Sequence, residues 1–455
     1  MYCCERFQQE RKIETITAIA TAHGVGSIAV VRVSGVNAYD IALKLSRKIF
    51  LTPRVASLSY IYDEKNQTID QSIIIYFKAP NSYTAEDVVE FQCHGGIRVA
   101  NLIMNEVLKL GARVANPGEF TKRAFLNGRI DLSEAEAIQK LIEAKSDSAI
   151  KMLSRHLRGE LKNFIENARD ELLEIISYIE VAIDYAEEDL PQNIEEQIYA
   201  KLEKLTNSLE KILKNSKQRD GLLSGFKISI IGKPNVGKSS LLNKLLEYDR
   251  AIVSDIAGTT RDTIEEEIKI GTHIVKIIDT AGIREAKDEI EKIGISRSFE
   301  AVQNSDIVFA MFDNSKVADR EDVEIFEFLK KQEDKKIFYI LNKNDLPNKF
   351  NRDLIDGAIE LNCKEDTSAL VERLEEFLSG SFIDDELMLS SSRQIFAVSN
   401  ALELLKDSYE LVKNRELELF AFNLNEAIYH LASITRPFER SEILDSMFSN
   451  FCLGK

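Results

Sequence analysis

Residues 226–246 read FKISIIGKPNVGKSSLLNKLL. A β-branched apolar run breaks at a glycine into GKPNVGKS, and leucines at helical spacing follow at once. Strand, glycine-bounded loop and helix in that order form the GxxxxGK[ST] phosphate-binding pattern. The loop's backbone N–H groups can close around phosphate oxygens, and the helix N-terminus adds partial positive charge. This assigns Asn235, Val236, Gly237, Lys238, Ser239 and Ser240 to a nucleotide's phosphates. Lys238 reaches the β/γ oxygens as a catalytic group, and the Ser239 hydroxyl faces Mg²⁺.

Reading outward, 221–380 alternates short apolar strands (Lys227–Ile231, Ile274–Asp279, Asp306–Asp313, Lys336–Leu341) with helical stretches, which predicts a parallel α/β sheet. Asn342-Lys343-Asn344-Asp345 ends the strand KIFYILN. Guanine presents N1–H and N2–H₂ side by side, so one carboxylate, Asp345, can accept both. Adenine would leave that carboxylate buried and unpaired, a mismatch worth roughly 10⁴-fold. Asp279-Thr280-Ala281-Gly282 supplies a metal-shell carboxylate and an N–H that can sense a γ-phosphate. Gly258, Thr259 and Thr260 supply a switch hydroxyl, with Thr260 as the second Mg²⁺ ligand. Asn362-Cys363-Lys364 is the expected guanine-edge loop. Together these predict GTP. Ile283 stands where Ras-like enzymes carry a water-orienting Gln, so hydrolysis needs another polar group, with Arg284, Glu285, Asp288, Glu289 and Glu291 as candidates.

On either side of this domain the pattern changes. Residues 14–35 mix β-branched runs with a glycine-bearing turn, and SIIIYF at 72–77 and VVEFQ at 88–92 predict further strands of an α+β domain. From about 130, Leu161, Ile165, Ala168, Leu172, Ile176, Ile179 and Ile183 recur at three and four, as do Leu202, Leu205, Leu209 and Ile212. The acidic stretch AEEDLPQN separates them. Leu405, Tyr409 and Val412 continue the same period within 393–435. The expected class is therefore multidomain α/β and α: an α+β N-terminal domain at 1–127, a discontinuous helical domain at 128–218 and 383–455, and an inserted Ras-like P-loop G domain at 219–382.

Composition narrows the function classes. The chain has 455 residues, too many for a single core. Its 59 Lys+Arg against 75 Asp+Glu give a net charge of −16, which argues against coating nucleic acid by bulk electrostatics. Any RNA contact must be local. Five scattered cysteines form no disulfide or zinc pattern. No apolar run reaches the roughly 18 residues of a membrane span, and the N-terminus has no signal character. A cytoplasmic protein without membrane contact is expected.

Several long motifs then carry a resemblance: IATAHGVGSIAVVRVSG at 19–35, PNSYTAEDVVEFQCHGG at 80–96, PGEFTKRAFLNGRIDLSEAEAI at 117–138, GKPNVGKSSLLN at 232–243, DIAGTTRD at 255–262, DTAGIRE at 279–285 and FCLGK at 451–455. Over nearly its whole length the chain resembles the MnmE (TrmE) family of tRNA-modification GTPases. The resemblance implies a homodimer formed through a folate-binding N-terminal domain. It also implies a heterotetramer with the flavoprotein MnmG (GidA), and addition of an aminomethyl-type group (carboxymethylaminomethyl) to C5 of wobble uridine 34 in certain tRNAs. A 5-formyl- or 5,10-methylene-tetrahydrofolate would donate the carbon. By motif match, K⁺ falls to Asn235, Ser254, Ile256 and Thr259, within a GTP-contacting loop that includes Asp255 and Ala257. Glu291 matches the water-orienting acid, and folate falls to Arg32, Glu90, Arg129 and Lys455. A pterin offers a carboxylate the same paired donors as guanine, which suits Glu90. Cys452 stands either as a nucleophile of the modification chemistry or as a packing group. Two other classes compete: a ribosome- or RNA-binding assembly GTPase without modification chemistry, and a folate enzyme regulated by GTP. The motifs HGG, NGR and FCLGK, in place of an appended basic RNA-binding module, favour the modification enzyme.

Overall fold

The computed structural model describes residues 14–22, 24–144, 146–184, 192–218, 225–248, 266–271, 273–278, 299–332, 335–352, 355, 357–380, 387–436, 448–449, 451 and 454. The chain divides into two compact units, one of residues 1–139, 162–188 and 415–455, the other of residues 140–161 and 189–414.

In the first unit six strands, β1 (Ile16–Ile19), β2 (Ile28–Ser34), β3 (Ser57–Tyr62), β4 (Thr68–Phe77), β5 (Val88–His94) and β6 (Arg113–Val114), form one sheet in the order β3-β4-β5-β2-β1-β6. All pairings are antiparallel except β1 with β6. Alternation sorts the faces. Val31, Val33, Val89 and Phe91 turn inward onto the helices Ala38–Ser46 and Ile97–Lys109, where Ile41, Ile103 and Val107 complete a core. Arg32 and Glu90 occupy the intervening positions, so the opposite face carries them. There Ile16 and Ala18 pack with Phe120, which the helix Glu119–Leu126 presents. Helices Glu160–Asp184 and Leu417–Thr435 complete this unit, and Arg436 pairs with Glu166 at 3.6 Å.

The second unit holds a sheet of β7 (Phe226–Ile231), β8 (Glu266–Ile270), β9 (His273–Ile277), β10 (Ile307–Asp313), β11 (Lys336–Asn342) and β12 (Ile359–Leu361), ordered β12-β11-β10-β7-β9-β8. Only β8 runs antiparallel to its neighbour. Every residue of β10 is buried, as expected of a parallel strand covered on both faces. Beside the sheet, helices Gln192–Gln218 and Ser392–Lys413 pack together, with Tyr199 stacked on Tyr409 at 6.4 Å and Lys406 paired to Glu210 at 2.6 Å.

The predicted strands are present, and β3, β6, β8 and β12 join them. The helical period within 393–435 proves to be two helices: the first ends at Lys413, and Arg415 takes a left-handed backbone with φ 59°. Leu405, Tyr409 and Val412 all lie in the first helix, so their spacing carries no sign of the break.

Candidate functional site

The parallel sheet brings the ends of β7, β10 and β11 side by side, the edge where open α/β sheets bind ligands. After β7 the chain turns through Gly232–Gly237 into the helix Lys238–Tyr248. Asn235 is exposed, with φ 64°, and Ser239 is exposed at the helix start; Ser240 is half-buried. Lys238 folds back over the loop, donating to the carbonyls of Gly232 at 2.6 Å and Lys233 at 2.9 Å. Burial pulls its ammonium down to about 8. A phosphate arriving over the loop would meet a cation held by neutral carbonyls, with no carboxylate among the described residues to displace.

Two fixtures around this loop escaped the sequence reading. Lys233 donates to Asp319 at 2.5 Å and Asp322 at 2.6 Å, tying the loop's entrance to the capped start of helix Arg320–Lys330. Asn342, 4% exposed, donates to the Val236 carbonyl at 2.7 Å and accepts from Cys363 N–H at 2.9 Å. Both polar ends of its amide are thus spent clamping the phosphate loop to the loop at Asn362–Lys364. Buried Asn in NKxD could have suggested this, since a buried amide must find two partners. Lys343 pairs with Asp313 at 2.6 Å across the strand ends. Burial works against that carboxylate, yet Lys343 and Ser315 hold it below its usual range. Asn344 and Asp345 are exposed, and among the described residues the Asp345 side chain has no partner, which leaves it open to a base edge. Asn362 accepts from Lys364 N–H at 3.2 Å, and buried Cys363 has its thiol pushed up to about 12 by desolvation. Ser254, Asp255, Ile256, Ala257, Gly258, Thr259, Thr260, Asp279, Thr280, Ala281, Gly282, Ile283 and the acids through Glu291 lie outside the described residues.

On the open face of the first sheet, Arg32 and Glu90 are direct register partners. Arg32 Nε and Nη2 both lie 2.9 Å from Glu90 Oε1, while Oε2 has no partner among the described residues. The guanidinium sits 5.3 Å from the Tyr83 ring centre and 5.7 Å from that of Phe120. Its Nη1 donates to the backbone carbonyl of Gly454 at 3.3 Å, across 422 positions of sequence. The tail reaches there because Phe448 and Phe451 pack on Leu132 and Ala135. Two glycines permit the approach. A Cβ on Gly118 would press on the Phe448 carbonyl, and one on Gly454 would lie 2.6 Å from the Ile19 carbonyl, with φ 67° and 92° respectively. Arg129 is exposed and lines a cleft that also contains Tyr83, so it neighbours the Arg32 site without touching Glu90. Cys452 and Lys455 lie outside the described residues.

A glycine-bounded loop between strand and helix, with NKxD at the end of β11 on the far side of β10, defines a P-loop GTPase. Comparison with known proteins carries this further. The family model "GTP-binding protein TrmE N-terminus" matches residues 15–129, and "MnmE helical domain" matches residues 132–452. The protein named tRNA modification GTPase MnmE from Aliarcobacter butzleri is 55% identical over 442 residues, 97% of this chain and 99% of that one. Its namesake from Sulfurimonas denitrificans is 58% identical over 443 residues, again 97% and 99% of the two chains. Among solved structures, the FeoB G domain from Methanococcus jannaschii is 22% identical, covering 34% of this chain and 96% of its own, at a TM-score of 0.23. The chain belongs to the MnmE family of tRNA modification GTPases. Among the described residues no helix is long and apolar enough to cross a membrane.

Proposed function

We propose that this chain couples GTP hydrolysis to one-carbon chemistry on tRNA, adding an aminomethyl-type group to C5 of wobble uridine 34 as a cytoplasmic homodimer joined with the flavoprotein MnmG. The observation that carries the folate part is the Arg32–Glu90 pair with the Gly454 carbonyl on it. The free Oε2 of Glu90 suits the 2-amino/N3–H edge of a pterin, Arg32 fixes that carboxylate, and the tail beside it brings Lys455 within the same neighbourhood in sequence. Arg129, on the far side of Tyr83, suits the ligand's glutamyl carboxylates.

In the G domain, Lys238 binds the β/γ oxygens, Asp345 reads guanine, and Ser239 with Thr260 would hold Mg²⁺. Asn235 with Ser254, Ile256 and Thr259 would hold K⁺. These cations supply positive charge against the leaving phosphate. Glu291 orients water in the role a Gln plays in Ras-like enzymes. Cys452 is proposed to position the folate-side chemistry. Nucleoside analysis of tRNA from a strain lacking this protein tests the reading. Loss of the C5-modified wobble uridine, restored by the wild-type chain and not by Glu90→Ala, is expected. Nucleoside profiles unchanged from the parent strain, with altered ribosome assembly, would favour the assembly-switch class.

A further inference from the structure

Beside the Arg32 site lies a cleft of about 720 Å³, within the range of small-molecule sites, lined by Arg54, Phe77, Asn81, Tyr83 and Arg129 among others. No Asp or Glu lines it among the described residues. In a chain of net charge −16, two guanidinium groups lining one concavity are unusual: Arg129 lies within electrostatic reach of Glu134, and Arg54 has no carboxylate partner among the described residues. Arg54 holds a left-handed backbone, φ 60°, fixed by its N–H donating to the Tyr76 carbonyl at 2.7 Å. Among the described residues its Nη2 donates only to the Asn81 carbonyl, at 2.7 Å, and the group lies 5.8 Å from the Phe77 ring centre. The remaining N–H groups of its planar fork are open to a bidentate anion.

Tyr83 belongs both to this cleft and to the wall of the Arg32–Glu90 site. Tyr83 thus links a carboxylate that can accept paired donors, on the Arg32 side, to an aromatic-lined cleft that holds two cations. That is the polarity of a pterin joined through an aryl ring to glutamate. We propose that the cleft binds an oligo-γ-glutamyl tail, with Arg54 as a carboxylate anchor beyond the first glutamate, so that the chain prefers polyglutamylated to monoglutamylated folate. This rests on the folate reading above. A polynucleotide is held by rows of cations on an open surface; here the cations sit in a concavity with Phe77 and Tyr83, which fits a small, partly aromatic ligand better.

Calorimetric titration of 5-formyltetrahydrofolate carrying one or five γ-linked glutamates into the full-length protein tests it. The pentaglutamate is expected to bind about tenfold more tightly, the increment of one charge-assisted contact. Arg54→Met, at an exposed position, should abolish that advantage while leaving monoglutamate affinity and GTP turnover unchanged. Equal affinity of the two forms for the wild-type chain overturns the tail site alone. Binding of neither form overturns the folate reading and the tail site with it. An Arg54→Met variant that keeps the pentaglutamate preference but binds tRNA more weakly reassigns Arg54 to the nucleic acid and overturns the proposal.

Discussion

Asp345 is the residue proposed to read the base, and its side chain is exposed and unpartnered among the described residues. Asp345→Asn should shift preference from GTP toward XTP, because the new amide donor meets xanthine's C2 carbonyl where guanine has an amine. Roughly 10²-fold or more should be lost for GTP, and competition binding of the two nucleotides checks it; unchanged GTP preference would remove Asp345 from base reading. Lys238 gives a pH prediction. Its ammonium loses the proton near 8 in the free chain, whereas triphosphate must hold it charged. GTP affinity should be flat below about pH 7 and fall up to about tenfold per unit above 8, because binding there takes up a proton. Titrations of a fluorescent GTP analogue from pH 7 to 9 would show the bend, and a level profile would contradict it. The phosphate-loop and NKxD motifs were legible because each is short-range in sequence. Asn342 was legible only as a family letter, since its amide spans loops 106 and 21 positions away and no local spacing encodes such a clamp.

The helix Glu119–Leu126 shows how an element is pinned so that it can carry others. Arg113 binds Glu119 at 2.6 Å, and Arg123 binds Glu119 and Glu86 at 3.0 Å each. This sets Phe120 beneath Arg32. Burial opposes ionisation of Glu119, but Arg113, the Asn116 N–H and Arg123 hold it down at about 2 against an ordinary 4.5. A depressed carboxylate contributes stability above its unfolded value and loses it as pH falls toward the folded one. The unit should therefore weaken between about pH 4.5 and 2, and Glu119→Gln should flatten that limb while costing about 1–3 kcal/mol at neutral pH. Urea unfolding across that range measures both, and an unchanged acid limb would dissociate Glu119 from it. At this scale the long strands and helices could be read from period, because burial imposes it. The edge strands were harder to read: β6 has two residues and β12 three, too few to show a period, and β3 alternates with Leu58 and Tyr60 exposed, so its apolar positions do not mark the buried face.

Across the whole molecule, the central claim is that the chain's end completes a ligand site on its N-terminal sheet. The change of period shows where sheet-forming stretches give way to helices, whereas it could not foretell the meeting of Gly454 with Arg32, because nothing local signals a contact across 422 positions. What makes it physical is the pair of phenylalanines that seat the tail and the glycines that admit it. GTP turnover should not depend on it, since the nucleotide residues lie in the other compact unit. Calorimetric titration of 5-formyltetrahydrofolate into the full-length chain and into one lacking 452–455, with GTP turnover of both recorded, tests this most directly. The account predicts at least about tenfold weaker folate binding after truncation, the loss of a charged contact and a site wall, with turnover retained. Equal folate affinity in the two chains would contradict it.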